Sequence, residues 1–218
     1  MAHRIRRTFG MADKKLTGIV EADETFIGGK EANKHAHKRT EGTQGRSVQT
    51  KQAVAGVVAR GGKVKAQKVS DTSAKNLQKF VKANVECGSQ LKTDEWYGYK
   101  GLEKLYQHAI IKHSVREYVV GDCHTNTMEG YWSLLKRGIT GIYHSMSEKH
   151  LQQYLNEFSF RYNTRELTEQ QRFNLMMSNI ALPISYEKLT ANEPRKQPTF
   201  ASIEHNKWVE AKQGTLGF

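Results

Sequence analysis

Cysteine is almost missing from this sequence. Cys87 and Cys123 are the only two among 218 residues, and neither stands in a CxxC pair. That excludes a disulfide framework and a cysteine zinc ribbon. Proline is scarce too: Pro183, Pro194 and Pro198 are the only three, and all fall near the end of the chain. No apolar run approaches the roughly 20 residues that a membrane-spanning helix needs. No charged-then-apolar leader opens the sequence, so it reads as a soluble, cytoplasmic protein without a membrane partner. Acids are in deficit, with 22 Asp and Glu against 34 Lys and Arg, for a formal charge of +12. Such a surplus favours a polyanionic partner, nucleic acid before anionic membrane. The remaining composition, 37% hydrophobic and 26% charged, suffices for one large domain with a sizeable core. Nine histidines are scattered mostly singly and read as surface or core residues.

Three segments follow from composition and periodicity. Residues 1–15 form a basic remnant in which Met1, Ile5 and Phe9 keep the four-residue spacing of a helix end. Residues 16–182 carry the regular patterns, and 183–218, where the prolines gather, read as an irregular tail with a docked piece near Trp208. Within the middle segment, TGIVEADETFIGG from Thr17 to Gly29 reads as a first strand. Its alternation puts Glu21, Asp23 and Thr25 on one face and Val20, Ala22, Glu24 and Phe26 on the other. The polar loop from Lys30 to Ser47 reads as a long hairpin loop contacting a DNA backbone through Lys34, Lys38 and Arg39. Val48 to Val58 and Lys63 to Val69 make two further strands turned by Arg60, Gly61 and Gly62, completing an antiparallel meander. A helix follows through Leu77, Phe80, Val81 and Val85, and then a short strand, QLKT, that ends on Asp94. Helical crossovers between strands of one sheet are right-handed and join parallel neighbours, so this fourth strand should lie beside the first and set Asp94 next to Asp23. Beyond the aromatic and basic cluster Trp96 to Lys100, a short helix is expected through Leu102 and Leu105, and a fifth strand over Ala109 to Lys112. Three amphipathic helices close the segment, marked by Met128 to Leu135, Leu151 to Tyr162 and Phe173 to Ile180. The last opens on the capping-box pair Thr168 and Gln171. In the second, Glu157, Arg161 and Arg165 form a stripe at helical spacing that can pair internally.

A carboxylate in mid-strand flanked by Val20, Ala22 and Phe26 loses solvation, so it must be paired, protonated or bound to a cation. Asp23, Asp94 and Glu129 stand out, the last in the first turn of HTNTMEGYWSLLKRG. Phosphodiester chemistry is served by two divalent cations about 3.5 to 4 Å apart, and such hard ions want carboxylate oxygens gathered from separate elements. Blander roles exist for each acid. Glu129 can close a capping box with Asn126, Asp94 can be a turn residue, and Glu21, Asp71 or Asp122 can be the true ligand. Lys136, two helical turns past Glu129, can meet a phosphate or stay a solvated charge. Tyr131 and Trp132 read as core, and Cys123 with His124 lack the second ligand pair that zinc needs.

VEADETFIGG, LKTDEWYGY and HTNTMEGYWSLLKRGITGIYH, in that order, resemble the catalytic domain of the insertion-sequence DDE transposases, and within them the ISXO-like group, over about Leu16 to Arg165. The resemblance implies an α+β, ribonuclease H-like fold: a mixed five-stranded sheet in the order 3-2-1-4-5, flanked by helices, with a helical C-terminal extension. It implies an acidic triad of Asp23, Asp94 and Glu129, with Asn126 as a substitute third ligand, and two Mg²⁺ or Mn²⁺ ions. Lys136, Arg137 and Trp96 join the loop cations as DNA contacts. The implied activity is metal-dependent cleavage at a transposon end followed by attack of the freed 3′-hydroxyl on target DNA, by a homo-oligomer assembled on DNA in the nucleoid. Relatives carry a zinc ribbon and a helix-turn-helix ahead of this domain, and MAHRIRRTFG resembles only the last turns of the second. Two alternatives stay open: a nuclease or junction resolvase on the same fold, and a DNA-binding protein without catalysis.

Overall fold

The computed structural model of the chain describes residues 2–10, 14–29, 35–38, 40, 50–111, 125–144 and 146–179. The expected tail from 183, most of the 30–47 loop, and Asp122, Cys123 and His124 lie outside the described residues. The meander forms as read. Strand β1 (Ile19–Ile27) pairs antiparallel with β2 (Gln52–Ala59), which pairs antiparallel with β3 (Val64–Val69). Helix α2 (Ala74–Asn84) then crosses to β4 (Gln90–Thr93), parallel to β1, and β5 (Gln107–Ile110) lies parallel to β4. The order is β3-β2-β1-β4-β5, the ribonuclease H-like arrangement that the motifs imply. Strand β5 begins two residues earlier than expected. The expected helix through Leu102 and Leu105 does not form, and only a 3₁₀ turn over Tyr97–Tyr99 appears. After Gly101, at φ +95°, the chain makes one turn, closed by the Tyr106 N–H on the Leu102 carbonyl, and goes straight into β5.

Period-2 alternation in β1 divides the core in two. Val20 and Ala22 face α2, where Leu77, Phe80 and Val81 are buried together with Leu91, Tyr99 and Leu102. The other face packs under α3 (Asn126–Gly138) and α4 (Leu151–Asn163), with Val54, Val58, Met128, Trp132, Leu135, Leu155 and Phe158 at its centre. Helix α3 runs on into a π-helical turn, Ile139–Tyr143. Helix α5 (Glu169–Ser178) has the expected capping box between Thr168 and Gln171.

Strand β3 is an edge, and bare edge strands invite foreign pairing. Here α4 covers it with side-chain amides. Asn163 accepts from Val64 N–H at 2.7 Å and donates to Val64 C=O at 3.0 Å. Gln152 accepts from Lys68 N–H at 2.9 Å and donates to Ala66 C=O at 3.2 Å.

The N-terminal helix α1 (Ala2–Arg7) packs on α4. Its Arg6 donates to Glu157 at 2.9 Å, which also accepts from Tyr143 and Arg161, each at 2.7 Å. The expected stripe is therefore half realised. Arg161 pairs with Glu157, whereas Arg165 lies over the Tyr162 ring and donates to Gly62 C=O.

Candidate functional site

The β1–β4 ladder sets the first two acids. Glu21 pairs with Lys92, and two residues further along both parallel strands Asp94 comes beside Asp23. The ladder ends at Glu21 and Lys92, and Asp94, the first residue past β4, continues its register to lie beside Asp23. Oxygens of Asp23, Asp94 and Glu24 all lie within 4.8 Å of one another. Glu24 is the member that sequence reasoning passed over, because alternation assigns it to the opposite face from Asp23. The buried Tyr99 hydroxyl donates to Glu24 at 2.9 Å. Burial and then the charge of Glu24 push the Tyr99 phenol well above its ordinary pKa, so it stays a donor.

Asp23 is held from two sides. The Glu24 N–H donates to Oδ1 at 2.8 Å, and the Trp132 indole N–H donates to Oδ2 at 3.0 Å. Trp132 reaches it because the residue opposite Asp23 on β2 is Gly56. A Cβ there would overlap Met128 and stand 2.6 Å from the Trp132 ring, so the missing side chain is what admits the indole. Burial first, then the charge of Asp94 and more weakly that of Glu129, push the Asp23 carboxyl up to about 6. The two hydrogen bonds oppose that shift. Asp94 accepts from the Trp96 N–H at 3.1 Å. Behind it the Thr93 hydroxyl lies 2.9 Å from His108 Nε2.

Glu129 approaches from α3. It lines the same cleft as Asp23, Glu24 and Asp94, a space of about 900 Å³ that is also lined by Lys51, Thr125, Trp132, Lys136 and Arg137. Thr125 Oγ1 donates to the Glu129 carboxylate at 3.4 Å. The Asn126–Glu129 capping box does not form, because Thr125 is the N-cap and Asn126 the first helical residue. Asn126 is exposed and does not line the cleft.

The expected DNA contacts divide. Lys136 and Arg137 are exposed on the cleft wall. Trp96 is not part of that wall: its ring packs against the α2-side core and its indole N–H is spent on the Thr72 carbonyl at 3.0 Å. Lys38 ends a short 3₁₀ turn, Ala36–Lys38, whereas Lys34 and Arg39 lie outside the described residues. Asp71, an alternative ligand in the sequence, is occupied as a turn residue by Ser73 N–H and Asn76, and the Ser73 side chain first, then its N–H and Asn76, hold its carboxyl below the usual range. Glu21, another alternative, is fully buried and accepts from Arg60, Thr127 and the Met128 N–H.

Residues 15–163 match the ISXO2-like transposase domain. The chain belongs to that family. No curated protein matches the sequence. Two of the solved structures that resemble this transposase-family chain do so at low identity. One is the HTLV-2 integrase catalytic core domain in complex with magnesium, in a trimeric form, with 13% identity, a TM-score of 0.40, and coverage of 75% of this chain and 99% of that one. The other is the simian T-cell lymphotropic virus intasome in complex with the PP2A regulatory subunit B56 gamma, with 15% identity, a TM-score of 0.41, and coverage of 83% and 61%. Among the described residues no helix is long and apolar enough to cross a membrane.

The carboxylate cluster suits a hard divalent cation. All of its donors are oxygens, Asp23 is raised in pKa first by burial and then by the neighbouring charge of Asp94, which a cation would offset, and Mg²⁺ and Mn²⁺ are bound through such groups.

Proposed function

We propose that this chain is a DNA transposase that cuts one strand at a transposon end and joins the freed 3′-hydroxyl to target DNA, with Asp23, Asp94 and Glu129 as its catalytic acids. The observation that carries the reading is the convergence of Asp23 and Asp94 on adjacent strands with Glu129 in one cleft whose wall also bears Lys136 and Arg137. Asp23 and Asp94 would hold a shared Mg²⁺ or Mn²⁺, and Glu129 would complete a second site. When bound, two such ions activate the attacking oxygen and relieve charge on the leaving one. The chain does the rest. Trp132 and the Glu24 N–H fix the rotamer of Asp23, Thr125 steadies Glu129, and Tyr99 keeps Glu24 within the cluster. Lys136 and Arg137 take the phosphates on either side of the scissile bond, a positioning role without sequence choice. The partners are transposon-end and target DNA, engaged by a homo-oligomer, and the site of action is the nucleoid.

Asp23→Ala or Asp94→Ala should lower Mg²⁺-dependent strand transfer by about three orders of magnitude, equivalent to about 4 kcal/mol of transition-state stabilisation. Near wild-type transfer by either variant would remove the assignment. Glu129→Gln and Glu24→Gln, assayed side by side, identify the third acid: the first should abolish transfer and the second only weaken it. Joined products distinguish a transposase from a nuclease or resolvase, which releases cut ends.

A further inference from the structure

We infer that Glu21 is a positioning residue for this site, a carboxylate in β1 that caps α3 from across the fold and thereby sets where Glu129 and Trp132 stand. The inference rests on the functional reading above. Helix α3 receives no capping hydrogen bond from the side chain of its own N-cap, Thr125. The third N–H of the helix, Met128, donates instead to Glu21 Oε2 at 3.0 Å, from a residue 107 positions away. Thr127 Oγ1 donates to Oε1 at 2.9 Å. Arg60, from the β2–β3 turn, donates to the same oxygen at 2.7 Å. Glu21 is therefore fully buried yet satisfied on both oxygens, and its charge lies where the helix dipole favours an anion. Two residues on, Asp23 makes the second tie between the same elements through Trp132. Glu129 directly follows Met128, so the tie at Glu21 fixes the height of the third acid above the Asp23–Asp94 pair. A shorter or neutral side chain would free the first turn of α3 while the rest of the helix stays packed through Met128, Trp132 and Leu135.

The isosteric Glu21→Gln, in the full chain, presents an amide where three donors converge. It should keep a cooperative thermal melt, speed amide exchange at Met128, and weaken binding of Mn²⁺ alone by about tenfold, the lower end of the cost of losing support for a metal ligand. Asn163→Ala is the structural control: it loses two hydrogen bonds at the β3 edge and should lower Tm while leaving Mn²⁺ affinity unchanged. Should Glu21→Gln fail to fold, Thr127→Val removes one of the three donors and should move the same two readouts in the same direction. Mn²⁺ affinity within twofold of wild type, or unchanged exchange at Met128, overturns the inference. If Glu129→Gln itself leaves Mn²⁺ affinity unchanged, the third-acid assignment fails separately, and Met128 exchange alone then decides the anchoring of α3.

Discussion

At Asp23 two requirements pull against each other. The proposed chemistry calls for an ionised carboxylate, whereas burial and the neighbouring charges of Asp94 and Glu129 push its pKa from 3.8 up to about 6. Between those values the native state binds more protons at this site than the unfolded chain does. Stability from this group is therefore present below about pH 4 and lost as pH rises towards 6, a change of about 2 kcal/mol after allowance for partial exposure. Without divalent cations, Asp23→Asn should accordingly melt higher than wild type at pH 7.5 while losing strand transfer, the trade expected where a site stores charge repulsion. Added Mg²⁺ should raise the wild-type Tm more at pH 7.5 than at pH 5, and do little for the variant. Thermal melts of both chains from pH 4 to 7.5 check this, and parallel curves would show that Asp23 carries no penalty. The neighbouring Glu24 was hidden from sequence reasoning because strict alternation turns it away from Asp23. Only the fold supplies Tyr99, the donor that keeps Glu24 in the cluster.

Among the elements, α3 depends on two glycines. Gly56 gives room for Met128 and Trp132 against the sheet, and a Cβ at Gly138 would overlap the Phe158 ring of α4. Gly56→Ala should cost about 1–3 kcal/mol by overpacking. It should also reduce strand transfer beyond what the lost stability explains, because α3 moves away from Asp23. Urea unfolding compared with transfer at a temperature where the variant is fully folded separates the two effects, and full activity would show that the Trp132 bond is dispensable. Much of this level could be read from residue order. Period-2 alternation gave β1, apolar runs around the Arg60–Gly62 turn gave β2 and β3, the helix between two strands gave the parallel neighbour and hence the Asp23–Asp94 meeting, and Thr168 with Gln171 gave the α5 cap. Less legible was whatever depends on contact between distant segments. Glu21 as the cap of α3, the indole of Trp132 on Asp23 and the amides of Asn163 and Gln152 on β3 leave no periodic trace. The segment after Trp96 misled because Leu102 and Leu105 suggest a helix, whereas the chain makes a single turn there, closed by the Tyr106 N–H on the Leu102 carbonyl, before it enters β5.

For the molecule as a whole, the formal charge of +12 predicts DNA affinity that falls steeply with salt, by roughly 0.9 in log–log slope for each phosphate neutralised. Replacing Lys136 and Arg137 together with Ala should flatten that slope by about 2 and weaken binding similarly across sequences. Fluorescence anisotropy over a KCl series reads this, and an unchanged slope would place the DNA elsewhere on the surface. The carboxylates on the cleft wall differ in how they are mounted. Asp23 in β1 and Asp94 directly after β4 are set by two paired parallel strands, like the fixed jaw of a vice. Glu129 rides on the first turn of a core-packed helix, a turn tied down by the side chains of Glu21 and Thr125, like the sliding jaw. Tuning of the grip should therefore concentrate in the fastenings of the helix, where a single substitution changes the gap while the strand-borne half keeps its spacing.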